Sequence, residues 1–192
     1  MKKLLVFATN NAHKLQEVQQ LIASNFILKS LSDIGFNDDI PETGSTFEEN
    51  SVQKSRFIYD RFNFDCFADD SGLEVEALNN EPGVFSAGYS GTRDSQKNMQ
   101  SVLEKLEGKI NRKAQFRAVI SLIIKGEVHL FEGVVKGTIR AEPSGTAGFG
   151  YDPIFQPEGY EVTFSEMSIQ EKNNISHRGK AMAKLVDFLN SN

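Results

Sequence analysis

"FADDSGLEVEAL", residues 67–78, is the stretch whose reading decides the fold. Its first part continues an apolar run from Cys66 and reads as a β-strand, yet that strand meets two adjacent acids, Asp69 and Asp70. Ser71 and Gly72 follow at once, and then a second alternating run. Asp-Ser-Gly is ordinary turn chemistry, so the local reading is strand, turn, strand. A turn needs only one Asp, however, and two carboxylates side by side repel unless a cation is near. Either a lysine or a metal ion must supply that charge.

Working outward, "KLLVFAT" (3–9) reads as a buried strand, and a helix follows with Leu15, Val18, Leu21 and Ile22 at the 3.6-residue period. "FILKSL" (26–31) is a second strand, and 32–45 is a loop rich in Asp, Gly, Asn and Pro. Thr46 and Glu49 have capping-box spacing and should open a helix to about Phe62. Asp94 caps another helix, with Met99, Val102, Leu103 and Leu106 on its apolar stripe. Residues 113–140 are two long strands around a Lys-Gly-Glu turn. After a loop at 141–152 come a short helical piece near 168–175 and a last helix capped by Ser176, with Met182, Leu185, Val186 and Leu189 inward. Helices alternating with strands, then a hairpin, predict an α/β fold with a mixed sheet. No linker divides the 192 residues, which read as one domain.

Bulk properties narrow the function classes. A net charge of -5 argues against a nucleic-acid-gripping protein, which carries a basic face. The apolar run 118–124 falls far short of the roughly 20 residues of a membrane span. "MKKLLVFATNN" has an apolar part of about six residues, below the usual signal-peptide core of about 7–15, and reads as a first strand. A single cysteine, Cys66, allows neither an internal disulfide nor a multi-thiolate zinc site, and its apolar context makes it a core residue. The cytoplasm is the default compartment.

Five segments could carry chemistry. "FATNNAHKLQEV" (7–18) leads from a strand into a helix start that favours phosphate, with Thr9, Asn11 and Lys14 to help; a plain connection capped by Asn is the competing reading. In "PETGSTFEENSVQKS" (41–55), Glu48 and Glu49 suit a helix start, Glu42 lies outside that explanation, and Lys54 follows Asn50 by four residues, most simply as an exposed lysine. Asp69 and Asp70 suit magnesium, which commonly takes one or two carboxylates and leaves other positions to water and phosphate. In "SGTAGFGYDPIF" (144–155), glycines flank Phe149 and would leave one ring face open to a flat group, although a core Phe is the safer reading. His177 and Arg178 put cations in the first turn of the last helix, against its dipole, an anomaly that asks for a ligand.

Together these segments resemble one family. "TNNAHKLQE", "PETGSTFEENSVQKS", "ADDSGLEVEAL", "PGVFSAGYSG", "GFGYDPIF" and "ISHRGKA" are similar, in order and over nearly the whole chain, to the inosine/xanthosine triphosphate pyrophosphatase family. The resemblance implies an elongated α/β fold of two lobes around a central mixed sheet, a substrate cleft between the lobes, and a homodimer. It implies magnesium-dependent hydrolysis of deaminated purine triphosphates to the monophosphate and pyrophosphate. By motif, Asp70 is the general base and a metal ligand, Glu42 the second ligand, and Ser71 lies beside the substrate, while Asp69 supports the site. Thr9, Asn10, Asn11, Lys14 and Lys54 would hold the triphosphate. Phe149, with Gly150 and Tyr151, would face the base, and Asp152, Lys172, His177 and Arg178 would line its edge. Two positions depart from the family pattern: Asn10 stands where Gly is usual, an exchange that suits a residue at positive φ, and Gly88 where Arg is frequent. Three other readings stay open: a pyrophosphatase for modified pyrimidine triphosphates, a non-catalytic nucleotide sensor, and a protein-interaction module.

Overall fold

The computed structural model describes residues 3–22 and 26–191; Met1 and Lys2, the start of the stretch weighed as a leader, lie outside the described residues. The strands are β1 (Lys3–Phe7), β2 (Phe26–Lys29), β3 (Cys66–Val75), β4 (Glu81–Pro82), β5 (Lys113–Ile124), β6 (Glu127–Ile139) and β7 (Phe155–Pro157). The α-helices are α1 (Ala12–Gln19), α2 (Phe47–Phe62), α3 (Ser95–Lys105), α4 (Ile169–Ile175) and α5 (His177–Ser191). The strands form one seven-stranded sheet in the order β2-β1-β3-β5-β6-β7, with β4 paired to β3. β1 runs parallel to both β2 and β3, whereas β3–β4 and β6–β7 are antiparallel, so the sheet is mixed as expected.

Local signals fix several boundaries. Thr46 and Glu49 close the capping box of α2, and Asp94 accepts the N–H groups of Gln96 and Lys97 to start α3. Lys125 and Gly126, both at positive φ, make the two-residue turn between β5 and β6, the geometry that matches strand twist. Asn10, in contrast, is not among the described residues at positive φ. Its side-chain amide donates instead to the Asp38 carbonyl at 2.9 Å. The exchange for Gly thus has a hydrogen-bonding consequence rather than a conformational one.

The largest departure from the sequence reading is at Asp-Ser-Gly. No turn forms there: β3 runs unbroken from Cys66 to Val75, with nearly every residue buried. Turn propensity loses to burial and to the cations that meet the two acids.

The chain divides into two compact units. The first comprises Met1–Asp70, Ala118–Gly133 and Arg178–Asn192. Its sheet is covered on both faces, which explains the continuous apolar runs of β1 and β3. On one face Leu5, Phe7 and Phe67 pack with Val18 of α1 and Met182, Leu185 and Leu189 of α5. On the other Val6, Ala8, Cys66 and Ala68 pack with Ile58 of α2. The second unit comprises Ser71–Arg117 and Val134–His177. Its core joins Leu73 and Val75 of β3 to Val102 of α3 and Leu106 at the end of that helix, and to Phe116, Phe155 and Phe164.

Candidate active site

Adjacent strand residues point to opposite faces of a sheet. Asp69 shares the parity of Phe67 and faces α1 and α5; Asp70 shares that of Ala68 and faces α2. Each acid therefore meets its own partners, and this is how two neighbouring carboxylates are tolerated in a buried strand.

Asp69 is 2% exposed, and its two oxygens are divided between two cations. Lys14 Nζ donates to Oδ1 at 3.0 Å and Arg178 Nε to Oδ2 at 3.1 Å. Arg178 Nη1 also donates to Glu17, three residues after Lys14 on α1. Burial raises the Asp69 carboxyl, but Lys14, Arg178 and Lys54 outweigh it and hold the group well below the usual carboxylate range. Burial also pulls the Lys14 ammonium down, against the attraction of Asp69. For Arg178 the carboxylates of Glu17 and Asp69 overcome burial and raise the guanidinium further. The cation at the start of α5 therefore faces two carboxylates of the chain itself, Asp69 and Glu17.

Asp70 has a different setting. Asn50 Nδ2 donates to its Oδ2 at 2.9 Å, and Lys54 Nζ lies 4.0 Å from Oδ1. Burial is the largest influence on Asp70 and raises its carboxyl, only partly offset by Lys54, Lys14 and the Asn50 hydrogen bond. Lys54 is buried rather than exposed, because α2 turns Asn50 and Lys54, one helical turn apart, onto β3. The Lys54 ammonium also donates to Glu42, so carboxylates 28 positions apart in the chain face one cation. Among the described residues no group of three His, Cys, Asp or Glu side chains is arranged to hold a metal. Glu42 and Asp70 nevertheless present oxygen donors to a shared cation position, the set that magnesium accepts with water and phosphate.

The phosphate-loop residues are placed as follows. Asn11 caps α1, accepting from the N–H groups of His13 and Lys14, and the Thr9 hydroxyl accepts the Asn11 N–H at 3.1 Å. Both side chains thus shape the loop. Ser71 is half-buried at the first position of the second unit.

In the second unit Phe149 is half-buried, between Gly148 and Gly150 at positive φ. Asp152 organises this turn: its Oδ2 accepts the Phe149 N–H at 2.8 Å and a proton of Lys172 Nζ at 2.7 Å. A Cβ on Gly148 would lie 2.2 Å from that same oxygen, so only glycine fits. Lys172 Nζ sits 4.8 Å from the Phe149 ring centroid, a cation–π contact. Tyr151 turns inward and donates to the Ser86 carbonyl at 2.8 Å. His177 is buried and stacks on Phe116, with centroids 4.8 Å apart and planes 11° apart. The structure thus joins Phe149, Asp152 and Lys172. Tyr151 and His177 pack within the second unit, and Arg178 faces Asp69 and Glu17 within the first.

A family model described as the Ham1 family matches residues 5–188. The chain belongs to the Ham1 family. A relative from Flavobacterium psychrophilum, named dITP/XTP pyrophosphatase, is 52% identical over 185 residues, covering 96% of this chain and 97% of its own. The solved Ham1 protein of Staphylococcus aureus superposes with a TM-score of 0.90 at 39% identity, over 98% of this chain and 99% of its own. That of Coxiella burnetii gives 0.91 at 39% identity, over 99% and 100%. The resemblance drawn from the motifs is borne out at the level of family and α/β fold.

Within this Ham1 chain, two residues of the site had no role in the sequence reading. Glu17 carries a helical signal, three residues after Lys14 on the face that includes Val18. Asn50 carries another, four residues before Lys54. Both signals say that a polar side chain points inward; neither says what it meets.

Proposed function

We propose that this Ham1-family chain is a magnesium-dependent nucleoside triphosphate pyrophosphohydrolase. Its substrates would be deaminated purine nucleotides (ITP, dITP and XTP), cleaved to the monophosphate and pyrophosphate. The observation that carries this reading is the contrast between the adjacent acids. Asp69 is neutralised by Lys14 and Arg178, while Asp70 keeps a raised carboxyl and faces, with Glu42, a shared cation position. Relatives that bear the name dITP/XTP pyrophosphatase support it.

Glu42 and Asp70 would hold the metal, which when bound stabilises charge on the phosphate oxygens. Asp70 accepts a proton from the attacking water, whose oxygen bonds to the α-phosphorus. The bond from that phosphorus to the β-phosphate oxygen breaks, and pyrophosphate departs with the bonding electrons. Lys14 and Lys54 neutralise charge that builds on the phosphates, the main electrostatic demand of phosphoryl transfer. Phe149 offers a ring to the base, and Lys172 places a cationic donor near it, matched to the 6-oxo acceptor of hypoxanthine and xanthine rather than to the 6-amino donor of adenine. Sites built on buried hydrogen bonds discriminate by about 10⁴–10⁵. The setting we propose is a homodimer in the cytoplasm that clears the nucleotide pool; no helix among the described residues is long and apolar enough to cross a membrane.

The test is a panel of ITP, dITP, XTP, GTP, ATP and modified pyrimidine triphosphates, with and without magnesium, scored for pyrophosphate against orthophosphate. Pyrophosphate from ITP, dITP and XTP in preference to ATP and the pyrimidine triphosphates, and only with magnesium, is expected. Equal rates on ATP and ITP, or metal-independent turnover, would overturn the proposal.

A further inference from the structure

We infer that Asn50 is a positioning residue that aims Asp70 and couples it to the loop carrying Glu42. The inference rests on Asp70 being the base, as proposed above. Asn50 is 4% exposed on the inward face of α2. Its Oδ1 accepts the Gly44 N–H at 2.8 Å, and its Nδ2 donates to Asp70 Oδ2 at 2.9 Å. The orientation of the amide follows from its partners, because a backbone N–H only donates and an ionised carboxylate only accepts.

The loop is shaped around this contact. A Cβ on Gly44 would lie 2.8 Å from Asn50 Oδ1 and 2.6 Å from Glu49 Cβ, so any other residue would push the loop off the amide. Glu42 is two residues before Gly44 in the same loop. One side chain therefore bridges the two segments that bring the proposed carboxylates together.

The consequence for Asp70 is orientational. A carboxylate held only by diffuse charge rotates about its terminal torsion. Here Oδ2 is pinned by a directional hydrogen bond, which leaves Oδ1 towards Lys54, the cation shared with Glu42. Near-attack geometry is steep: a misplacement of 1 Å can lower a rate about 10²-fold.

Asn50→Asp separates aiming from loop support. It keeps the shape and an acceptor for the Gly44 N–H, but replaces the donor to Asp70 with an acceptor. Turnover of ITP is measured at saturating magnesium in a double-mutant cycle with Asp70→Asn. With Asp70 present, Asn50→Asp should lower kcat by about 10- to 100-fold and change KM by less than about 3-fold. In the Asp70→Asn background it should lower the residual kcat by less than about 2-fold, because its effect runs through Asp70. Equal losses in both backgrounds, or no loss with Asp70 present, would overturn the inference. Should Asn50→Asp not fold, the same cycle with Asn50→Leu, which removes the Gly44 contact as well, decides by the coupling alone: a kcat loss about 10-fold larger with Asp70 present than in the Asp70→Asn background is expected, and equal losses overturn the inference. If wild-type protein releases no pyrophosphate from ITP, the functional proposal has failed. If it does and the cycle shows no coupling, only the role of Asn50 has failed.

Discussion

Replacing each adjacent carboxylate by its amide should give opposite results. Asp69→Asn removes the charge that faces both Lys14 and Arg178. Removing one partner of a buried ion pair leaves the other charge uncompensated and costs about 3–5 kcal/mol. Arg178 retains Glu17, so the loss falls mainly on Lys14, and the lower end, about 3 kcal/mol, is expected. For a chain of this size each kcal/mol moves Tm by about 2–4 °C, which places the drop at about 6–12 °C. Asp70→Asn removes a charge that burial already disfavours, and its amide oxygen can still accept from Asn50. Its Tm should match or exceed that of the wild type, while loss of a general base lowers turnover by about 10²–10⁴-fold.

The pH dependence separates the two further. The Asp69 carboxyl is depressed in the folded state, so its stabilisation is complete above its ordinary value of 3.8 and is lost as pH falls below it. The Asp70 carboxyl is raised, so the folded state binds its proton more tightly; stability declines as pH rises from 3.8 through that raised value, and then levels. Thermal unfolding followed by calorimetry from pH 3 to 7, with chelator and at fixed protein concentration, reads both effects. Asp69→Asn should flatten the acid-side loss, and Asp70→Asn should remove the decline on the other side. A Tm for Asp69→Asn within 2 °C of wild type at pH 7 would refute the division of roles (the expected drop being at least about 6 °C). So would a drop for Asp70→Asn as large as that for Asp69→Asn.

Lys172→Met strands the buried Asp152 carboxylate and should destabilise by about 3–5 kcal/mol; an unchanged urea midpoint would show that the pair contributes nothing. Gly148→Ala forces a Cβ onto Asp152 Oδ2 at positive φ, a strain of about 1–3 kcal/mol before any clash, and should raise KM for ITP by disturbing the turn at Phe149. Asn10→Gly removes one exposed hydrogen bond to the Asp38 carbonyl, about 0.5–1.5 kcal/mol, and should change kcat/KM by less than about 3-fold; a 10-fold loss would mean that Asn10 itself contacts substrate.

What the sequence made legible was local. The capping pair Thr46–Glu49, the Asp94 cap and the Lys125-Gly126 turn each place both partners within a few residues, and the structure keeps all three. What it hid was long-range. Asp69 is matched by Lys14 and Arg178, 55 and 109 residues away, and Arg178 by Glu17 at 161. No window of sequence contains such pairs, so Lys54 looked exposed, Arg178 looked opposed to its helix, and Asp-Ser-Gly looked like a turn. One step was nevertheless available from strand geometry alone. If 66–75 is a single strand, its two-residue period sends Asp69 and Asp70 to opposite faces, and each must find separate compensation. The question of which cation serves a pair of acids then becomes two questions with two answers. Two fixed internal cations, Lys14 and Arg178, quench Asp69, whereas Asp70 faces the Lys54 ammonium that it shares with Glu42. Burial raises the Asp70 carboxyl while Lys14 and Arg178 hold that of Asp69 low, and that difference, set by strand parity, makes one of two identical neighbours a candidate base and the other a structural anion.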